Sequence, residues 1–464
     1  MFNIKSRRYK NIFFFVPGLA LIFTVLPETH AQEKITLQQA VEAALKSNLQ
    51  IKQAQLQESL TEQDLKQFKL ALLPTLNAST NLNFNFGRSV DPFSYQFVNQ
   101  QITSANGGAS TGFTLFQGGQ KLNQISQNKL LLEADKSNTR RVQNDLALNV
   151  ATTYLGILNN RDLLAASGQQ LDLARLQLER EQKQFDVGNK TLADLSQAKA
   201  QVATAELNVT NAQNNLDISY LNLAQLMERN PAELFEAVAP QIDEIGQLNT
   251  AYSAAQIYTK AVDNYPDIKY AEFNALAAKQ AIKVARGSLF PRLDLQASLG
   301  SGYSTGSERI RPGPDGTQIR ERSPFGSQLN NNFNQTLGFG LSIPIFNGLS
   351  SRIAVTRAKI QYQNASFAEQ LAKNNLNKII NQAVLDLRAS EKRYRSAQTA
   401  FESSKEAFRV IEQRYNVGLV NSLDYNQSQT NLNKAQFDMI QAKYDLIFRS
   451  KVIDFYLGNP LEFN

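Results

Sequence analysis

The chain has 464 residues, enough for two or three ordinary domains, and a formal net charge of +7 at pH 7. It contains no cysteine, which excludes disulfides, a thiolate nucleophile and a cysteine-based zinc site. The single histidine, His30, lies in an N-terminal segment that we expect to be removed. No catalytic motif stands out elsewhere, so the sequence does not indicate an enzyme, and we expect no cofactor and no bound metal.

Residues 1–31 have the composition of a secretory signal peptide. Four basic residues precede an apolar run of 17 residues, and Ala31 provides a small residue for cleavage. The run is short for a membrane span of about 20 residues, and Pro17 and Gly18 interrupt it. Its removal takes away four basic groups and one acidic group, which lowers the net charge to about +4. No dense basic patch with interleaved aromatic residues remains, so nucleic acid is not an expected partner.

The exported part begins with a helix predicted from about Thr36 to Leu73, which ends ahead of Pro74. Residues 75–87 then alternate apolar and polar side chains, as a strand with two different faces does. The polar face carries Asn77, Ser79, Asn81, Asn83 and Asn85. A half-buried strand of a soluble protein shows this pattern, and so does a membrane barrel with lipid outside and water inside. This stretch alone does not decide between them.

A second strand is predicted at about 109–117, and a helical hairpin follows over about 119–230. Its first helix, from Gly119 to Phe185, would be about 100 Å long at about 1.5 Å per residue. A thin apolar seam with three-then-four spacing runs along the lower part of this helix, while the other faces are polar. Narrow seams and wide wet surfaces are what the wall of a hollow helical tube requires.

The second half of the chain repeats this plan. Pro74 matches Pro291 at an offset of 217 residues, and residues 184–197 match residues 414–427 at an offset of 230. We therefore predict two tandem repeats, with bounds 32–250 and 251–464.

The second repeat has strands predicted at about 292–304 and 333–345, followed by a hairpin over about 347–458. Its polar strand face includes Asn334, Thr336 and Ser342, which we expect to line a lumen together with the polar face of residues 75–87. No second run of about 18 apolar residues exists, so only a barrel could place this chain across a membrane.

Four strands per chain cannot close a barrel, for which about eight strands are the practical minimum. Two chains would supply about eight strands and a filled interior, and three would supply about 12 and leave room for water. The small polar side chains suit the wider barrel, although the pattern does not fix the number of chains.

With these features, the chain resembles the TolC-type outer-membrane efflux family over about residues 33–460. A Pro-x-Leu sequence leads into the first strand of each half, and "SIPIFNG" (342–348) ends the last strand. The most specific signals are the paired turns "DVGNKTLADL" and "NVGLVNSLDY".

The resemblance implies a mainly α-helical chain with a membrane β-barrel. Three copies would share a 12-stranded barrel in the outer membrane and a periplasmic α-helical coiled-coil barrel. The implied partners are outer-membrane lipid, a periplasmic adaptor protein and an inner-membrane pump. The implied function is a passive exit duct of a tripartite efflux or type I secretion system. The alternatives from other classes are a structural coiled-coil stalk and the periplasmic adaptor itself.

The resemblance also assigns residues to the periplasmic end. The adaptor-docking tip would comprise Val187, Gly188, Val417, Gly418 and Leu419. A helix-to-helix turn needs glycine for its backbone in any case, so this conformational explanation accounts for the glycines equally well.

The periplasmic gate would be at Asp424, one turn beyond the tip, where three copies would form a ring that attracts cations. The second aspartate of the family falls on Gln427, and its basic latch residue falls on Val420, so the latch of this protein differs. Asp194 is the counterpart of Asp424 in the first half, and a role at the start of its helix is the simpler interpretation.

Overall fold

The computed structural model describes residues 33–90, 95, 97–99, 101–233, 235–239 and 252–459. The predicted signal peptide lies outside these residues, and so does the predicted repeat boundary between residues 250 and 251.

The described part contains helices and strands in a repeated order. The first half contains β1 (Glu33–Ile35), α1 (Leu37–Ser47), α2 (Leu49–Leu70), β2 (Thr75–Asn85), β3 (Arg88–Val90), β4 (Phe97–Asn99), β5 (Ile102–Gln117), α3 (Gln120–Asp186), α4 (Leu192–Leu226) and β6 (Phe235–Ala237). The second half contains α5 (Ala254–Ala261), α6 (Pro266–Gly287), β7 (Arg292–Ser304), β8 (Glu308–Pro312), β9 (Gln318–Arg322), α7 (Phe325–Asn331), β10 (Asn334–Ser342), α8 (Ser350–Asn416) and α9 (Ser422–Leu457).

The helix predicted as continuous from Thr36 to Leu73 is two helices, because the chain turns at Asn48. The ψ of Asn48 is 132°, and its side chain accepts a hydrogen bond from the N–H of Gln50, which caps α2. Its amide also donates to the carbonyl of Leu226 at 3.1 Å, so the break joins the start of α2 to the end of α4.

Two strand predictions are wrong at their ends. The strand predicted at 109–117 begins earlier, at Ile102, because its glycine-rich start pairs with the neighbouring strands although it lacks apolar alternation. The strand predicted at 333–345 is shorter, Asn334–Ser342, since Pro344 cannot donate to the ladder.

The four long strands form one antiparallel sheet in the order β10-β7-β5-β2. The helices below it follow a matching order, because α2 packs on α3, α3 on α6, and α6 on α8. Nearer the hairpin tips, α3 and α8 pack on α4 and α9 respectively, and α3 also packs on α9. β2 and β10 are therefore the sheet edges, and α2 and α8 are the corresponding edges of the helical layer.

The main apolar core lies midway along the long helices, where β1 pairs in parallel with β6. Tyr154 is fully buried there, and its hydroxyl contacts the carbonyls of Ile35 and Val238, both at 2.8 Å. A second core joins α5 and α6 to α8 and α9 around Ile380, Leu387 and Ile453. Within the described ranges, no helix is both long enough and apolar enough to cross a membrane.

Candidate functional site

The sheet carries its polar side chains on one face across all four strands. Directly paired residues of antiparallel strands point to the same side of a sheet. One row runs from Asn77 through Ser110 and Ser298 to Thr336. The next row runs from Ser79 through two glycines to Asn334, and Asn81, Asn83, Asn85 and Ser342 lie on this same face by register.

The opposite face is mainly apolar, although Gln335, Ser301 and several threonines also lie on it by register. Leu76 and Leu337 end a row whose two inner positions are Thr111 and Ala297. Leu76 is 77% exposed, Leu337 68% and Phe339 68%, so a single chain leaves this face uncovered. The sheet therefore has one face that is rich in asparagine, serine and glycine, and an opposite face that is rich in leucine and phenylalanine.

The two hairpin tips, residues 187–194 and 417–424, have the same backbone. In each, a glycine with a φ of 77° follows the long helix: Gly188 in the first tip and Gly418 in the second. The N–H of Asn189 donates to the carbonyl of Gln184 at 2.9 Å, and the N–H of Leu419 donates to that of Arg414 at 2.8 Å. This glycine-dependent helix ending requires a positive φ, which explains both glycines through conformation alone.

In the first tip, the carboxylate of Asp194 accepts hydrogen bonds from its own hairpin and from the second one. Thr191 caps α4 and forms a capping box with Asp194, whose carboxylate accepts from the Thr191 N–H at 3.2 Å and hydroxyl at 2.7 Å. The hydroxyl of Ser422, in the other half, donates to the same carboxylate at 2.7 Å. These hydrogen bonds, that of Ser422 first, lower the pKa of Asp194.

In the second tip, Asp424 occupies the matching position but has different contacts. Asn421 caps α9 and accepts the N–H of Asp424 at 2.8 Å. Asp424 is exposed, and within the described ranges its carboxylate has no hydrogen-bond or ion-pair partner. Gln427, one turn further on, is exposed and donates to Asn431 at 3.1 Å. Of the predicted gate residues, Asp424 is thus the free carboxylate, and Asp194 is occupied by capping.

Both tips expose apolar side chains. Val187 is 69% exposed, Val417 70% and Leu419 71%. Leu192 and Leu423, just inside the return helices, are exposed to a similar extent. Each tip thus presents a small apolar surface at the far end of a hairpin.

A buried polar cluster, which the sequence did not predict, joins the two hairpins just above the tips. Glu181 is 4% exposed, and it accepts hydrogen bonds from the hydroxyl of Tyr415 and the amide of Gln177. Lys190 lies 3.6 Å from the second carboxylate oxygen of Glu181 and donates to the Tyr415 hydroxyl at 3.0 Å. We call Gln177, Glu181, Lys190 and Tyr415 the inter-hairpin cluster.

Burial and charge act together in this cluster. Burial raises the pKa of Tyr415, and its hydrogen bond to Glu181 raises it further. For Lys190, burial lowers the pKa, but the Tyr415 hydroxyl and the Glu181 charge outweigh this effect and raise it overall. Tyr415 also stacks on Tyr425, with ring centroids 4.7 Å apart. The lysine is therefore charged at neutral pH and pairs with a carboxylate that water hardly reaches.

One signal in the sequence pointed to this cluster. Glu181 occupies a position of the apolar seam of α3, where its counterpart in the second half is Ile411. A carboxylate on an apolar seam requires a partner, because an unpaired buried charge is costly. The partners could not be inferred, since Tyr415 is 234 residues away along the chain.

Both halves of the chain match the sequence profile of the outer membrane efflux protein family, over residues 40–228 and 257–459. These segments make up most of the chain, and the protein therefore belongs to this family. The resemblance inferred from the repeats and the paired turns is confirmed, and so is the predicted localisation in the outer membrane.

Curated relatives support the assignment to this family. The chain is 25% identical over 316 residues to outer membrane protein TolC of Escherichia coli K12, covering 68% of this chain and 62% of that protein. It is 21% identical over 415 residues to outer membrane efflux protein BepC of Brucella suis, covering 89% of this chain and 83% of that protein. The chain thus spans less than two thirds of TolC and most of BepC.

The fold agrees with solved structures of outer-membrane channels. The Campylobacter jejuni CmeC outer membrane channel superposes with a TM-score of 0.76 at 19% identity, covering 91% of this chain and 85% of that one. The predicted fold class, long helical hairpins attached to an antiparallel sheet in a TolC-like arrangement, is confirmed.

Proposed function

We propose that this protein forms the outer-membrane exit duct of a tripartite efflux or type I secretion system. It conducts substrates passively from an inner-membrane pump and a periplasmic adaptor to the exterior. The observation that carries this proposal is the four-stranded sheet with one mainly polar face and one mainly apolar face. In a closed barrel, the polar face lines a water-filled lumen and the apolar face contacts outer-membrane lipid.

Both edges of the chain favour a closed homo-oligomer. Among the described strands, β2 and β10 each have only one neighbour in the sheet. The edge helices expose apolar stripes, which comprise Leu49, Leu56 and Leu60 on α2 and Ile353, Ile360 and Phe367 on α8. A second copy that paired β2 with β10 would also place α2 against α8. Three copies supply about 12 strands, the smaller water-filled solution, and we propose a homotrimer.

The alternatives do not require this architecture. A coiled-coil stalk has no use for a sheet with a leucine and phenylalanine face in every chain. A periplasmic adaptor needs one helical hairpin, whereas this chain has two with matching tips. The match to the outer membrane efflux family also favours the duct.

We assign the periplasmic gate to Asp424. In the trimer its three exposed carboxylates surround the axis, where they attract cations and repel one another. Gln427 adds no charge where a second ring would lie, so the gate of this protein has one acidic ring. Asp194, which is occupied by capping, is not part of it.

The gate assignment is tested by ion selectivity in planar bilayers. Asp424→Ala removes three charges from the narrowest point of the trimer and should lower the preference for cations severalfold. Asp194→Asn is the matched control from the other half and should leave selectivity unchanged. An unchanged preference in Asp424→Ala, or an equal change in both variants, would contradict the assignment.

We assign adaptor docking to the exposed apolar side chains of the two tips. Leu419→Asp places a charge on the most exposed of the three apolar side chains predicted to dock the adaptor, and it should strongly reduce substrate efflux from cells. The conductance of the purified channel should not change, because the substitution leaves the turn backbone intact. Ile310→Asp, which places the same charge on an exposed apolar residue of β8 (58% exposed), is the control. Normal efflux by Leu419→Asp would exclude Leu419 from the docking surface.

A further inference from the structure

The junctions between sheet and helices occur twice in the chain. A turn leads from each hairpin strand to a long helix, at Gly118 in the first half and at Gly348 in the second. A connection leads from each shorter helix to its strand, and it follows Leu70 in the first half and Gly287 in the second. Turns correspond at an offset of 230 residues, and connections correspond at an offset of 217.

Within each half, the long helix contacts its neighbouring connection in an equivalent way. Lys121, at the start of α3, donates to the carbonyl of Ala71 at 2.7 Å. Ser351, at the start of α8, donates to the carbonyl of Ser288 at 3.3 Å. Both residues of each pair are repeat counterparts, so the two halves build this joint alike.

A second joint crosses from the first half to the second. Gly118 packs so closely on Gly287 that a Cβ added at either glycine would overlap the other joint residues. The amide of Gln120 donates to the carbonyl of Val284 at 3.2 Å. The backbone of the first turn thus packs directly on the backbone of the second connection, at Gly118 and Gly287.

The reverse joint, from the second turn to the first connection, is missing from the described residues. Every residue from 341 to 350 is exposed, and Ile345 and Phe346 are 94% and 81% exposed. A Cβ added at Gly348 would meet nothing within 4 Å. On the first connection, Leu70 and Leu73 are 52% and 59% exposed. The second turn and the first connection thus each expose large apolar side chains that the described residues leave largely uncovered.

The layer order explains why a single chain cannot make this joint. The second turn joins β10 to α8 at one edge of the molecule, and the first connection joins α2 to β2 at the other. The first turn and the second connection are neighbours in the middle, so only they meet. We propose that the second turn docks on the first connection of a second copy, as Gly118 docks on Gly287 within the chain.

This contact presupposes the closed oligomer of the proposed function and specifies its subunit joint. In the joint within the chain, Gly118 faces Gly287. In the proposed joint, Gly348 would face Leu70, whose side chain keeps the two backbones further apart. Ile345 and Phe346 fill the wider space with apolar side chains. The occupant is another copy of this chain, and exposed apolar side chains on both surfaces, Ile345 and Phe346 on one and Leu70 and Leu73 on the other, would meet there.

The natural absence of cysteine allows a direct test by disulfide formation. By the repeat offsets, Ser350 and Gln67 are the counterparts of Gln120 and Val284. Oxidation of Ser350→Cys with Gln67→Cys should give covalent species up to the full oligomer on a non-reducing gel. Gln120→Cys with Val284→Cys should cross-link within single chains only. Each single variant should remain monomeric on the gel.

Each outcome separates the subunit joint from the duct. If the native mass of the unoxidised protein shows an oligomer but the Ser350/Gln67 pair does not cross-link, the proposed joint is wrong and the duct stands. Cross-linking by Ser350→Cys alone would show that two second turns meet, which also overturns the joint. A native mass of one chain would overturn the duct itself.

Discussion

Asp194 and Asp424 occupy the same position in the two halves, the third residue of a return helix, and the turns before them have the same φ and hydrogen bonds. Among the described residues, Asp194 bonds to the other half through Ser422, whereas the carboxylate of Asp424 does not. The inter-hairpin cluster shows the same asymmetry, since Glu181 bonds to Tyr415 while its counterpart is Ile411.

The contrast between Asp194 and Asp424 shows that two copies of the same backbone can have different side-chain contacts. In and just above the first tip, Asp194, Lys190 and Glu181 form hydrogen bonds to the second hairpin. The second tip leaves its carboxylate exposed. Backbone geometry is therefore shared between the halves, and side-chain contacts decide which tip has a hydrogen-bonded aspartate and which has an exposed one.

The largest expected effect on stability comes from removing the buried carboxylate of Glu181, which joins the two hairpins. Glu181→Ala removes the acceptor for Tyr415 and the charge opposite Lys190, which should cost about 1–3 kcal/mol of local stability. Hydrogen exchange of the amides in both tips should accelerate roughly tenfold or more. Glu179→Ala is the control, because Glu179 is exposed and pairs with Lys183 on the same helix. Unchanged exchange in Glu181→Ala would show that the cluster does not hold the hairpins.

The shared backbone predicts equal effects at the two glycines. Gly188→Ala and Gly418→Ala each place a side chain at a φ of 77°, which should cost about 1 kcal/mol in either tip. Hydrogen exchange of each tip measures the cost separately. A clearly larger effect in one tip would mean that the two turns are not conformational copies.

The smallest expected effect is the pH dependence of the first tip. Because the folded state lowers the pKa of Asp194, its stabilising contribution exists above its unfolded pKa of about 3.9. This contribution disappears as the pH falls through the folded value. The local stability lost in Asp194→Asn, about 0.5 kcal/mol after solvent screening, should therefore be measurable at pH 7 and absent well below pH 3.9. Asp424→Asn should cost little at either pH, and a matching loss there would remove the distinction between the tips.

Much of the fold was predictable from periodicity. Alternation located the strands at Thr75 and Arg292, and the apolar seams located both long helices. Alternation failed at the start of β5, because Gly108 fits between strands where a Cβ would lie 2.7 Å from the carbonyl oxygen of Leu299. The small residues there reflect a close approach of backbones, so the sequence shows no apolar alternation from which this part of the strand could be predicted.

The candidate site was predictable only where it depends on local sequence. The glycines and the helix caps of the tips follow from short segments. The bond between Ser422 and Asp194 joins residues 228 positions apart, and the packing of four helices decides it. The sequence indicated which side chains are candidates for a site, while the structure shows which of them already have hydrogen-bond partners.

The polar sheet face consists mainly of asparagine, serine, threonine and glycine, and its charged residues in the four described strands are Arg292 and Asp294, 2.7 Å apart at one end. Short side chains have few rotamers, so the shape of this wall fluctuates little. In the proposed duct, a solute would exchange one weak hydrogen bond for another every two residues, about 7 Å along a strand. Friction along the barrel would therefore be low and nearly uniform, and the rate of passage would be set at the tips.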